Sequence, residues 1–307
     1  MSGEGRGAVA GAVSPAAAGR PLLAFAWMMG AVVSFTLMAV AGREVQAEMN
    51  SFQLMAWRSV IGWVVIALVV WRSAQGFAQV RTRRPWLHVQ RNIFHFTGQN
   101  AWFVALTMIP LAQLVALEFT SPIWVALLAP LIVGDRLTLQ RLVAVGLGFA
   151  GVLIVAQPGA SPVGVGHALA LLAALGFALN TIWTKRIMAE DNVLCVLFWM
   201  TASQAAMGLV LSLPWGGVPM PSAAIWPWLL LVALTGLTAH YALTSALRHA
   251  QVSVVAPMEF LRLPVITAVG ALLYGEAVAL AILLGGAVIL AANLVNLGVL
   301  WPRSRAR

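Results

Sequence analysis

Ten apolar stretches follow one another along the chain, at about 22–41, 51–72, 86–109, 111–133, 138–157, 165–187, 194–213, 226–247, 252–274 and 277–300. Each is close to the roughly 20 residues that a helix needs to cross a hydrocarbon core. Helix breakers and charges separate them: Arg81, Arg83, Arg84 and Pro85 before the third stretch, Pro110 before the fourth, Pro158 to Pro162 before the sixth and Pro214 to Pro221 before the eighth. The pattern predicts an all-α membrane protein with ten transmembrane helices, and no loop is long enough for a folded soluble domain.

Basic residues orient these spans. With the N-terminus inside, Arg6, Arg20, Arg72, Arg81, Arg83, Arg84, Arg136, Arg141, Lys185, Arg186, Arg248, Arg303, Arg305 and Arg307 all fall on the cytoplasmic side, and Arg43 alone falls outside. That bias predicts cytoplasmic termini and a bacterial-type inner-membrane location. Residues 1–20, small and rich in Ala and Gly, read as a disordered cytoplasmic tail, and 301–307 as a short basic one. Composition agrees: 61% of residues are hydrophobic and 9% charged, against roughly 25% charged in soluble domains. The net charge of +9 sits in short clusters between apolar runs and along no polar face, so no nucleic-acid partner is expected. One cysteine, Cys195, excludes an internal disulfide, and no Cys/His cluster has metal-ligand spacing, so no metal and no cofactor are expected.

The chain also aligns with itself at an offset of about 141 residues. Glu118-Phe119 meets Glu259-Phe260 and Gly134-Asp135 meets Gly275-Glu276; with one residue of slippage, Asn50 meets Asn192 and Trp57 meets Trp199. Two repeats result, 21–157 and 165–300. Five spans per repeat is an odd number, so the halves are expected to enter the membrane from opposite sides. Inverted halves that exchange conformations give two access states around a midplane site, the architecture of a carrier working by alternating access.

The runs IPLAQ (109–113), ALEFTSPIWVALLAPLIVGDRLT (116–138) and VAVGLGFAGVLIVAQP (143–158), with the looser APMEF (256–260) and YGE (274–276), resemble the ten-helix branch of the drug/metabolite transporter superfamily, with an EamA-type domain in each half. The resemblance implies a secondary active transporter for a small organic metabolite, such as an amino-acid-like, vitamin-like or drug-like solute, moved outward more than inward. A membrane-embedded enzyme or a passive scaffold is the alternative, and no Ser/His/Asp or metal constellation supports an enzyme.

Ionisable groups at membrane depth are the first candidates for binding substrate or coupling ion: Arg58, Arg91, Glu118, Glu259 and Arg262. Arg58 and Glu118 fall near the outer ends of their spans and the other three nearer the inner face, which predicts two polar clusters, one per half. Glu259 and Arg262, three apart on one helix, are expected to pair. A buried carboxylate that exchanges a proton couples transport to the proton gradient, with Glu118 and Glu259 as the candidates. Arg91, His95 and Gln99 share one helical stripe, and Asn180, His240 and Tyr241 add polar groups. Pro122 and Pro264, inside spans four and nine, are candidate hinges. Small-residue stripes at Gly148 and Gly151 in span five and at Gly285 and Gly286 in span ten fit close helix packing or a homodimer contact through those spans.

Overall fold

The computed structural model describes residues 20–134, 138–157, 163–250 and 252–301. The expectations for residues 1–19, Asp135, Arg136, Pro158 to Pro162 and 302–307 lie outside these. The described residues form helices and no strand. In chain order the α-helices are α1 (Pro21–Val45), α2 (Ser51–Arg72), α3 (Pro85–Leu106), α4 (Leu111–Glu118), α5 (Ser121–Val133) and α6 (Leu139–Ala156). The second half follows with α7 (Val165–Ile187), α8 (Val193–Ser212), α9 (Trp226–His249), α10 (Val252–Glu259), α11 (Arg262–Tyr274) and α12 (Leu280–Asn296).

Seven helical stretches are long and apolar enough to cross a membrane: Leu22–Val45, Ser51–Arg72, Leu111–Ile132, Leu139–Ala156, Val165–Ile187, Val193–Trp215 and Trp226–Ala246. Three of the ten expected spans miss that measure for identifiable reasons. α3 has the length but carries His88, Arg91, Asn92, His95, Gln99 and Asn100, all buried. α11 and α12 are apolar but only 13 and 17 residues long.

The sequence repeat has a physical basis. Asn50 caps α2 by accepting from the Gln53 amide at 3.0 Å, and its counterpart Asn192 caps α8 by accepting from the Cys195 amide at 2.9 Å. Gly134 and Gly275 end α5 and α11 in the left-handed region, at φ +73° and +64°, where glycine carries no Cβ penalty. Spans four and nine break in register: eight residues of helix, two linking residues, then thirteen more. The breaks fall at Phe119-Thr120 and Phe260-Leu261, so Pro122 and Pro264 stand in the first turn of a new helix and not inside a continuous one. A proline's missing N–H is harmless at that place.

Helix pairing obeys the same symmetry. α1 packs on α9 and α3 on α7, two contacts that interchange when the halves are swapped; α2–α8 and α6–α12 each map onto themselves. The interior is built from α3 and α4, where Phe103, Leu106, Leu111, Leu114 and Leu117 are fully enclosed. Leu131, Leu153, Leu209, Leu272 and Leu284 face outward, as an apolar belt in lipid requires. Gly151 and Gly285 close the α6–α12 contact within one chain, where a Cβ on Gly151 would stand 2.9 Å from the Gly285 carbonyl oxygen, while Gly148 faces Ile123 of α5 and Gly286 faces Leu263 of α11. α3 and α7 approach as closely, since a Cβ on Gly176 would lie 2.8 Å from Gly98 Cα and 2.9 Å from the Phe94 carbonyl oxygen. Backbone atoms cannot rotate aside. Gly176→Ala is therefore expected to cost about 1–3 kcal/mol, the usual range for overpacking, read as a lowered thermal midpoint of the purified protein in detergent. An unchanged midpoint would show that the helices separate freely.

Candidate functional site

The two helix breaks meet in the interior, where the Phe119 and Phe260 ring centroids are 4.3 Å apart. Asn293 of α12 donates to the Phe119 carbonyl at 3.0 Å, satisfying a backbone oxygen beside the break. Beside the rings lies an ion pair that joins the halves, Arg262 Nη2 to Glu118 Oε1 at 2.7 Å. Trp102 Nε1 donates to the other Glu118 oxygen at 2.8 Å, and the Arg262 guanidinium is held between the faces of Phe35 and Phe119, 4.9 Å from each. This corrects two expectations. Arg262 pairs with Glu118 and not with Glu259, because the chain breaks between Glu259 and Arg262 and their three-residue spacing is no longer a helical one. The charges also form no separate cluster per half, since the pair itself bridges the halves. Glu259 is left half-buried, with no hydrogen bond or ion pair among the described residues, within electrostatic reach of both Arg262 and Glu118.

A second polar group lies among α2, α3, α8 and α9. The expected α3 stripe is enclosed, with Arg91, His95 and Gln99 at 5%, 2% and 6% exposure. Asn100 is buried as well, where α3 packs among α1, α2, α4, α7 and α8. The His95 and His240 rings meet edge to face at 6.0 Å, and His95 Nδ1 lies 2.9 Å from Gln204 Nε2. Arg91 donates from Nε to Thr184 Oγ1 and from Nη1 to Asn92 Oδ1, both at 2.8 Å. Arg58 is buried beside Gly236, with Met55 Sδ at 3.5 Å and the Phe103 ring at 6.0 Å. Gln99 Oε1 and Asn180 Oδ1 are buried without a partner. Tyr241 does not belong here: it is 57% exposed and packs edge-on against Trp27, because the residue after His240 turns about 100° away around α9.

Two further clusters were not foreseen. Arg43 Nη1 meets Glu276 Oε1 at 2.7 Å and its Nη2 donates to the Leu106 carbonyl at 2.7 Å, while Glu276 Oε2 accepts from the Leu111 amide at 2.8 Å. This lattice ties the end of α1, the α3–α4 turn and the end of α11 together. The glycine–acid turn of the second repeat was visible in the sequence, and its partner was not. Elsewhere Asp191 accepts from Thr82 Oγ1 at 2.7 Å and contacts His88 Nε2 at 2.9 Å, with Cys195 close by. Linear spacing conceals such a His/Asp/Cys group. Asp191, His88 Nε2 and the Cys195 thiol have protein partners, the thiol lying 3.5 Å from the Val80 carbonyl oxygen, while His88 Nδ1 has none among the described residues; the contacts clamp α3 to the start of α8.

The sequence matches known proteins along nearly the whole chain. The EamA-like transporter family matches residues 22–157 and again residues 164–298. A riboflavin transporter of Rhizobium johnstonii is 29% identical over 275 residues, 90% of this chain and 91% of the relative. One of Brucella anthropi is 30% identical over 242 residues, 78% and 84% of the two chains. An S-adenosylmethionine uptake transporter of Rickettsia prowazekii is 24% identical over 245 residues, 80% and 82%. A crystal structure that covers 89% of this chain and 96% of its own superimposes with a TM-score of 0.62 at 17% identity, a likeness of fold. The protein is a multi-pass membrane transporter and not an enzyme, and it belongs to the EamA-like transporter family of the drug/metabolite transporter superfamily.

Proposed function

We propose that the protein is a ten-span secondary carrier in the inner membrane, with both termini cytoplasmic, that moves a small organic metabolite by alternating access and draws on the proton gradient through Glu259. The observation that carries this reading is the meeting of two in-register helix breaks, one from each half, at Phe119 and Phe260. Broken helices at a repeat interface are where inverted-repeat carriers bind their cargo. The break also frees each short helix to tilt independently of its partner segment.

Glu259 suits coupling because it is a carboxylate at this junction with no fixed partner, whereas Glu118 is held by Arg262 and Trp102. The relatives' names favour vitamin-like and nucleoside-like solutes and support uptake over the outward direction expected from the sequence. The test is uptake of labelled riboflavin and of labelled S-adenosylmethionine into proteoliposomes holding the purified chain under an imposed pH gradient. Accumulation of either above empty liposomes, collapsed by an uncoupler, is the expected result. Equal rates with and without protein for both solutes would overturn the assignment.

A further inference from the structure

Among the described residues Arg43, Arg58, Arg91 and Arg262 lie within the bundle, and two of them meet acids: Arg43 meets Glu276, and Arg262 meets Glu118. Arg58 and Arg91 are buried more deeply than Arg43 and make no ion pair among the described residues. Arg58 is offered a thioether and a ring face. Arg91 is offered a hydroxyl and an amide oxygen. Neutral contacts of this kind leave a full positive charge uncompensated inside the bundle, a costly arrangement that persists where an anion completes it.

The two charges act at one place. Arg91 stands one turn before His95 on α3, the His95 ring meets the His240 ring at 6.0 Å, and both guanidinium groups are within electrostatic range of the two rings. Gln204 links this ring pair to a small pocket of about 10 Å³ beside the Arg58 head, lined by Ser59, Gly62, Thr201 and Gly236, with room for about one water. Gly236 makes that room: a Cβ there would stand 2.6 Å from Arg58 Nη2. Planar guanidinium forks are suited to bidentate oxyanions.

We infer that Arg58 and Arg91, flanking the His95–His240 pair, bind an oxyanion group of the transported solute, a carboxylate or a phosphate. The inference rests on the carrier reading above and names the chemical class of its cargo. An oxyanion entering between α2, α3, α8 and α9 supplies the negative charge that the fold withholds. A cationic or neutral group at the same place leaves the two arginines as they stand.

Equilibrium binding to the full chain in lipid nanodiscs tests this with two matched pairs: S-adenosylmethionine against its decarboxylated form, and riboflavin 5′-phosphate against riboflavin. The first pair reports on a carboxylate and the second on a phosphate. The oxyanion-bearing member of at least one pair is expected to bind about tenfold or more tightly than its partner, the order of one charge-assisted bidentate contact. Arg58→Gln and Arg91→Gln are expected to erase that preference, and Arg58→Lys to keep part of it. Gly236→Ala pushes the flexible head of Arg58 aside without touching backbone, and it is expected to weaken the oxyanion member alone. Equal affinity within both pairs, no binding of any of the four compounds, or a preference that survives in folded Arg58→Gln and Arg91→Gln protein overturns the inference. Uptake of the preferred oxyanion-bearing solute that continues at the wild-type rate in both glutamine variants overturns it too and leaves the carrier reading standing. Absence of pH-driven uptake by the wild type, with the oxyanion preference intact, does the reverse.

Discussion

Arg262→Met is expected to destabilise the protein by about 3–5 kcal/mol, the range for removing one partner of a buried ion pair. Glu118 loses its countercharge in the interior and keeps only the Trp102 N–H, with the Glu259 carboxylate within electrostatic reach. The Arg262 side chain is 3% exposed and the Glu118 side chain 15%, so water screens little of this. Adding Glu118→Gln to Arg262→Met is expected to restore more than half of the loss, because no unpaired charge then remains at that position. Thermal unfolding of the four members of the cycle in one detergent measures the coupling. A double variant no more stable than Arg262→Met alone would mean that the guanidinium acts through its packing between Phe35 and Phe119, and not through Glu118.

That ion pair marks the limit of what the linear chain discloses. Glu118 and Arg262 are 144 positions apart, and each stood out as an ionisable group in an apolar run. Their pairing did not, because helical spacing offered Arg262 the nearer Glu259. The spacing rule assumes an unbroken helix, and the break at Phe260-Leu261 removes that assumption. Pro122 and Pro264 signalled an irregularity in the right spans but were placed in helix interiors, whereas each opens a new helix two or three residues beyond the break. The repeat was legible in detail, since Asn50 and Asn192 are caps and Gly134 and Gly275 are left-handed terminators, both set by local backbone chemistry. Tyr241 was misjudged for a reason the sequence already held: the next residue along a helix faces another way. Gln99 and Asn100, neighbours on α3, are nevertheless both buried, because α3 packs among five other helices, and that is a tertiary fact. The same polar residues that put the candidate site on α3 keep its hydropathy below that of a typical membrane span.

Glu259→Gln is expected to abolish accumulation driven by a pH gradient, a drop of about tenfold or more, while exchange of labelled for unlabelled solute at equal pH stays within about threefold of the wild type. The repeat supplies the argument. Glu118 and Glu259 are copies of each other, but the copy of Arg262 is Ser121, so two carboxylates share one arginine. Arg262 now stands with Glu118, and Glu259 and Ser121 make no hydrogen bond to each other among the described residues. In the exchange of conformations proposed for the two halves, the Glu118–Arg262 pair takes up the geometry that Glu259 and Ser121 hold at present, and the ion pair opens. The other acid within electrostatic reach of Arg262 is Glu259. Passing the arginine from one carboxylate to the other moves its countercharge with the change of access, which is how a proton gradient acting on Glu259 is tied to that change. Glutamine at 259 cannot take part in that exchange but keeps the shape of the side chain. Proteoliposome uptake under an imposed pH gradient, set beside counterflow at equal pH, separates the two activities. Wild-type accumulation by Glu259→Gln would remove this carboxylate from the coupling mechanism.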